Sequence, residues 1–259
     1  MKRFYHLLLV LPIFFLNLSC EPVSKDKAAT EPSESNSVLH PKLEKGRYNV
    51  GILILDGVFN TELTAPYDIF HHTIFRDSIK PMNVFTIAEK PGAVRTFEGM
   101  HILPDFTLED KQLPQIDILV VPSAENNMGS DLENEKVIEF VQETAKTARF
   151  VTSHCDGAFV LAKAGLLEGR SCTSFPADRD ALQEMFPALD VQYEALFVQD
   201  GKFITSVGGA RSFDAALYLT ENMYGKKVAE EIAEGLVLDW DLAAVPHLIV
   251  AEKAKDLAH

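Results

Sequence analysis

Residues 149–162 read Arg-Phe-Val-Thr-Ser-His-Cys-Asp-Gly-Ala-Phe-Val-Leu-Ala, and this stretch decides the fold. Arg149–Ser153 has the apolar, β-branched look of a strand, and Asp156–Leu167 has helical spacing. No loop separates them. A turn that sharp crowds the positions two before and two after its apex, and here these are Ser153 and Gly157, both small. This is the spacing of a nucleophile elbow with Cys155 at the apex in place of serine. Such a turn lifts the sulfur above the sheet edge. It also places the sulfur at a helix N-terminus, where free N–H groups and the positive dipole end favour an anion. Thiolate stabilisation there can bring a cysteine pKa from about 8.5 into the range of roughly 3.5–7.5. The expectation is an activated thiol, and the alternative is a buried, inert one.

Outward from the elbow, strands and helices alternate. Tyr48–Leu55 is a nearly continuous apolar run closed by Asp56-Gly57, as in a strand buried on both faces. Thr61–Phe75 reads as a helix, and Asn83–Ala88 and Ile116–Val121 as strands, the last stopped by Pro122. Asn134–Thr147 reads as an amphipathic helix. Short strands are expected near Cys172–Ser174, Val191–Tyr193, Leu196–Gln199 and Phe203–Ser206, with a hairpin turn at Asp200-Gly201. Helices over Ala210–Tyr224 and Val228–Val237 follow. The pattern predicts an α/β fold, a doubly wound and mainly parallel sheet with helices on both faces. Sites in such sheets lie at the carboxyl ends of the strands.

The termini read differently. Lys2 and Arg3 precede an apolar run, His6–Leu18, shorter than the roughly 20 residues of a spanning helix. Residues 1–20 are expected to be an export signal, and Leu16-Asn17-Leu18-Ser19-Cys20 looks like a bacterial lipobox, with Asn17 where leucine is usual. Cys20 would then be lipidated and hold the protein at the outer or periplasmic side of a bacterial envelope. Residues 21–47 have three Pro, four Ser and mixed charges without periodicity, and read as a flexible linker in which His40 is solvated. The globular domain is expected over 48–242, with a tail over 243–259.

Composition narrows the partners. Of 259 residues 47% are hydrophobic, enough for one full core. The formal net charge of −14 disfavours nucleic acid as a partner. Three cysteines do not make a disulfide framework. Cys172 reads as core, and a Cys155–Cys172 disulfide stays open. No metal-ligand spacing, Walker loop or dinucleotide fingerprint is present, so no cofactor or metal is expected. His71-His72 cannot chelate together, because neighbours on a helix diverge by about 100°. Trp240 reads as packing. Gly208-Gly209, between a strand and a helix, is either a tight turn or a place where an anionic group meets a helix N-terminus.

Three segments together resemble the ThiJ/PfpI superfamily, with its class I glutamine-amidotransferase-like, flavodoxin-like fold. They are Ser153–Arg170 (SHCDGAFVLAKAGLLEGR), Gly51–Phe70 (GILILDGVFNTELTAPYDIF) and Asp200–Leu219 (DGKFITSVGGARSFDAALYL), in the family's order and within about residues 48–240. The resemblance implies that Glu62 sits beside the elbow cysteine and shares a proton with it. A helix N-terminal Glu favoured by the dipole is the other reading of that residue.

This sequence departs from the family at two points. Members with protease-like chemistry carry His after the Cys, whereas this chain has Asp156. Asp156 would either cap its helix or polarise a water beside Cys155. His154 precedes Cys155 and, since strand neighbours face opposite ways, is either a partner under the sheet or the missing base. Where the family has a Gly pair after the third strand, this chain has Pro122-Ser123-Ala124-Glu125. An oxyanion hole would have to use the N–H groups of Ser123 or Ala124 and of Asp156.

The resemblance therefore implies a cysteine-dependent hydrolase, hydratase or lyase acting on a small electrophile. The alternatives are a non-catalytic ligand-binding domain, like those of AraC-type transcription regulators, or an oxidation sensor. About 20 residues follow the expected domain, so no DNA-reading element is expected after it. The family's habit also implies a homodimer.

Overall fold

The computed structural model describes residues 40–251. The chain runs through β1 (Tyr48–Leu53), α1 (Asn60–His71), β2 (Met82–Ala88), β3 (Val94–Arg95), β4 (His101–Ile102), β5 (Phe106–Thr107) and β6 (Ile118–Val121). Then come α2 (Glu135–Thr147), β7 (Phe150–His154), α3 (Gly157–Lys163), β8 (Ser171–Cys172), α4 (Arg179–Met185) and β9 (Asp190–Val191). The last part holds β10 (Phe197–Asp200), β11 (Phe203–Ser206), α5 (Ser212–Tyr224), α6 (Lys226–Gly235) and β12 (His247–Val250). Eight strands form one sheet in the order β12-β10-β11-β7-β6-β1-β2-β5, parallel except for the β10–β11 hairpin. The two-residue pairs β3–β4 and β8–β9 lie outside it.

The expected α/β architecture is present, and the side-chain alternation of the central strands explains it. Ile118 and Val120 of β6, with Val50 and Ile52 of β1, join the core under α1, α5 and α6. Leu119, Val121 and Leu53 join the opposite core, under α2 and α3. Each central strand thus buries both faces, which is why these segments read as unbroken apolar runs. The β1–β6–β7 ladder brings the ends of three strands to one edge. Cys155 follows β7 there.

Several boundaries differ from expectation. The helix expected to reach Leu167 ends at Lys163, and turns carry the chain on past Gly165. The segment before Arg179 forms no strand beyond Cys172, and α4 was not expected at all. The linker expected through residue 47 is docked from His40 onward. His40 stacks on Phe106 at 4.8 Å, its Nδ1 meets the Asp105 carbonyl at 3.0 Å, and Asn83 Oδ1 accepts from the Glu44 N–H. His40 is therefore not the solvated residue expected. At the other end, residues 247–250 of the expected tail form the edge strand β12, where His247 stacks on Phe197. The signal, Cys20 and its lipobox lie outside the described residues. Among the described residues, no helix is long and apolar enough to cross a membrane.

Candidate active site

The elbow forms as the spacing predicts. Cys155 has φ +51°, the left-handed region that a non-glycine residue enters at a cost of about 1–3 kcal/mol. Its N–H donates to the Ser206 carbonyl at 2.9 Å, which ties the apex to β11. Ser153 is fully buried, and a Cβ on Gly157 would overlap the Val121 carbonyl oxygen. Small residues on both sides of the apex are thus a steric requirement of the turn.

Glu62, in the first turn of α1, meets the elbow. Its Oε2 accepts from the Ser123 N–H at 3.0 Å and its Oε1 from the Gly209 N–H at 3.0 Å. Bonds to a charged acceptor of this kind are worth about 1.5–3 kcal/mol each, so the carboxyl has one position. The Cys155 side chain lies close enough to act on its ionisation. Gly208, φ +77°, passes over both groups: a Cβ there would sit 2.6 Å from Glu62 Oε1 and closer still to Cys155 Cβ. Glycine at 208 is what lets the β11–α5 turn close over the pair. Burial holds the Glu62 carboxyl above the usual carboxylate range, against the two N–H groups that favour the ion.

The sulfur itself is not the exposed thiolate expected. Cys155 is only 7% exposed. Burial, then the charges of Glu62 and Asp156, push its thiol well up. The Asp156 N–H and the Ser123 hydroxyl act the other way. Ser123 Oγ is fully buried and makes no hydrogen bond. The helix-terminus effect is real but is outweighed by desolvation and two neighbouring acids. The thiol thus holds its proton more tightly than a free cysteine does.

The expected anion hole is also different. The Ser123 and Gly209 N–H groups are spent on Glu62, and the Ala124 N–H donates to Asn127 Oδ1 at 2.8 Å. Gly208 serves by lacking a side chain. Of the donors expected to steady a substrate anion, the Asp156 N–H remains aimed at the reacting atom, with Ser123 contributing its hydroxyl instead.

His154 lies beneath the sheet. Its Nδ1 pairs with Ser206 Oγ at 2.9 Å, and full burial pushes its pKa down to about 3. It is a buried partner of Ser206. Asp156 starts α3 but makes no side-chain cap. Its Oδ1 accepts from Ser174 Oγ at 2.9 Å, and the same hydroxyl lies 3.0 Å from the Cys155 carbonyl. Burial pushes Asp156 up to about 6, with the Asp178 and Glu62 charges adding to it. The sign follows: ionising Asp156 in the folded protein is costlier than in the unfolded chain, so its contribution to stability falls as pH rises from about 4 to about 6. Ser174 and Asp178 were missed in the sequence because they sit 19 and 23 residues beyond Cys155, in a segment without periodicity.

Cys172 is a separate, free, fully buried thiol pushed up to about 12, so no Cys155–Cys172 disulfide forms. Trp240 packs as expected, with its Nε1 donating to Glu221 at 2.7 Å. Among the described residues, no group of His, Cys, Asp or Glu is placed to hold a metal.

The chain is similar to isonitrile hydratase of Pseudomonas putida, 31% identical over 181 residues that cover 70% of this chain and 74% of that protein. The HTH-type transcriptional regulator CdhR of Pseudomonas aeruginosa is 45% identical over 82 residues, which cover 32% of this chain and 24% of the regulator. The crystal structure of Drosophila melanogaster DJ-1beta superposes with a TM-score of 0.66 at 23% identity, covering 75% of this chain and all of that one. The DJ-1/PfpI family model matches residues 48–222, which take in β1, Glu62, the elbow and most of α5, and the chain belongs to the DJ-1/PfpI family.

Proposed function

We propose that this protein is a cysteine-dependent hydratase, hydrolase or lyase acting on a small electrophilic molecule. Cys155 attacks, Glu62 takes and returns the thiol proton, and the Asp156 N–H with the Ser123 hydroxyl steadies developing charge. The observation that carries this reading is the fixed Glu62 carboxyl, held by two N–H groups beside a cysteine in a strained elbow. A proton acceptor locked against a nucleophile can take its proton as the bond forms, which a raised thiol pKa does not prevent. The likeness to an isonitrile hydratase supports isonitriles and small carbonyl compounds as the first substrates to try. Purified protein incubated with both classes should turn one over, and Cys155→Ala should lose at least 99% of that rate. Equal rates for the two proteins would dispose of the proposal.

A second reading, a ligand-binding or oxidation-sensing domain, draws on the regulator likeness and on the buried, un-ionised thiol. Intact mass after mild peroxide separates the two, since a sensor would gain oxygen at Cys155 without turning anything over. We also propose export and lipid attachment at Cys20, from the lipobox-like string, and a homodimer. Partition of the expressed protein into a detergent phase should be lost in Cys20→Ser. Retention in that phase would remove the anchor from the reading.

A further inference from the structure

We propose that Ser174 is a positioning residue of the Cys155 site, which aims the Asp156 N–H by holding the carbonyl of the same peptide. This inference rests on the reading of Cys155 as a nucleophile. It concerns the backbone donor left for developing charge once Ser123, Ala124 and Gly209 have spent theirs. The Cys155 carbonyl and the Asp156 N–H belong to one planar unit and point in opposite directions across it. Whatever fixes the carbonyl therefore fixes the N–H. Ser174 Oγ lies 3.0 Å from that carbonyl oxygen. The Ala158 N–H also donates to it, but at 3.3 Å, beyond the usual range for such bonds.

The apex needs an outside hold. At φ +51° Cys155 has a conformation that persists only where its surroundings over-determine it. Its N–H is tied to the Ser206 carbonyl at 2.9 Å, and its carbonyl to Ser174. Ser174 is itself firmly placed. It is fully buried, and its neighbour Thr173 donates its N–H to Thr205 Oγ1 at 2.8 Å and its hydroxyl to the Gln192 carbonyl at 2.9 Å. Arg179 Nε donates to the same Thr173 hydroxyl at 3.1 Å.

The Ser174 hydroxyl also meets Asp156 Oδ1, at 2.9 Å. A hydroxyl carries one proton, whereas a carbonyl and an ionised carboxylate only accept. With Asp156 ionised, the two compete for that proton, and the charged acceptor makes the stronger bond. With Asp156 protonated, its carboxyl can donate to Ser174 Oγ, which frees the hydroxyl proton for the Cys155 carbonyl. The grip on the peptide is therefore tighter when Asp156 holds a proton. Burial, with the charges of Asp178, ahead of α4, and Glu62, from α1, brings Asp156 up to about 6, against the Ser174 hydroxyl. The nearby cation, Arg179, spends its guanidinium on Thr173 and on the Tyr193 and Ala195 carbonyls.

Two neutral probes of the full chain separate the N–H from the reactivity of the thiol. Iodoacetamide loses iodide and builds no charge on its oxygen. Acrylamide addition forms the S–C bond and moves the π electrons onto the amide oxygen. Rates at Cys155 are followed by peptide mass from pH 5 to 8, and the ratio of acrylamide to iodoacetamide rates cancels the thiolate population. In wild type the ratio should fall as rising pH turns the Ser174 hydroxyl to Asp156. In Ser174→Ala it should be about tenfold lower at pH 5 and flat with pH, short of the 10²–10³ lost with a whole oxyanion donor. A residue that only supported the fold would slow both probes alike and leave the ratio unmoved. Ratios equal to wild type at every pH overturn the inference. The variant removes one hydroxyl and should fold, which a thermal melt checks. If it does not fold, the wild-type profile decides, and a ratio that does not fall overturns the inference. With carbonyl-labelled cysteine, the Cys155 carbonyl carbon should move upfield in wild type between pH 5 and 7 and lie upfield in Ser174→Ala at pH 5. A wild-type resonance that stays in place also overturns the inference. If iodoacetamide never reaches Cys155, the nucleophile reading fails instead, and the resonance still decides whether Ser174 holds the peptide.

Discussion

Gly157→Ala should unfold or severely destabilise the protein, by more than about 3 kcal/mol, which for a chain of this size is a fall in melting temperature of roughly 6–12 °C. The added methyl would overlap the carbonyl oxygen of Val121, and the next nearest atoms are also backbone, of Val121 and Pro122. Neither partner can give. Val121 is the last residue of β6, paired to β7 at Ser153, and Gly157 opens α3. Relief would require separating the two central strands or tilting α3 out of the core formed with Phe159 and Leu161. The effect should appear in thermal or urea melts without any substrate. Gly165→Ala is the control: it lies just past the other end of the same helix, at positive φ, +72°, and has open space where the Cβ would go. It should cost only the backbone penalty of about 1 kcal/mol. Similar losses for the two variants would show that the close approach at the elbow is not what constrains position 157.

Glu62→Gln should act in opposite directions on two assays of the same sulfur. Turnover should fall by about 10²–10⁴, because the amide cannot take the thiol proton. Alkylation of Cys155 by iodoacetamide at pH 8 should rise, because the Glu62 charge is the second largest influence holding the thiol protonated, after burial. Each pKa unit relieved is about tenfold in thiolate at a pH below the pKa. The amide also turns one donor toward either the Ser123 or the Gly209 N–H, both of which now need acceptors. That mismatch costs about 1–3 kcal/mol and should show as a lower melting temperature. Glu62→Asp should keep the acceptor but withdraw it by one methylene, and turnover should fall with little gain in alkylation. A parallel fall of turnover and alkylation in Glu62→Gln would mean that the residue only supports the fold.

Much of this was legible before any coordinates. Apolar runs at 48–55, 83–88 and 116–121 mark strands buried on both faces, because only a sheet covered on both sides needs apolar residues at every position. The elbow was legible because its constraint is local: strand, apex and helix are contiguous, and the small residues at 153 and 157 are contiguous with them. Less legible were segments whose order comes from a distant partner. β12 exists because β10 offers a free edge, and His40 is fixed by Phe106 and Asp105, far along the chain. Neither leaves a periodic mark.

The amino-acid order alone thus determined where the cysteine stands: at the end of a central strand, on a turn only small neighbours permit, before a helix. It could not determine the state of that cysteine's proton. That depends on how far water is excluded and on the charge that folds back from Glu62, 93 positions earlier. Ionisation is governed by distances through space, and three-dimensional packing turned an expected free thiolate into a thiol held un-ionised by burial and neighbouring carboxyls.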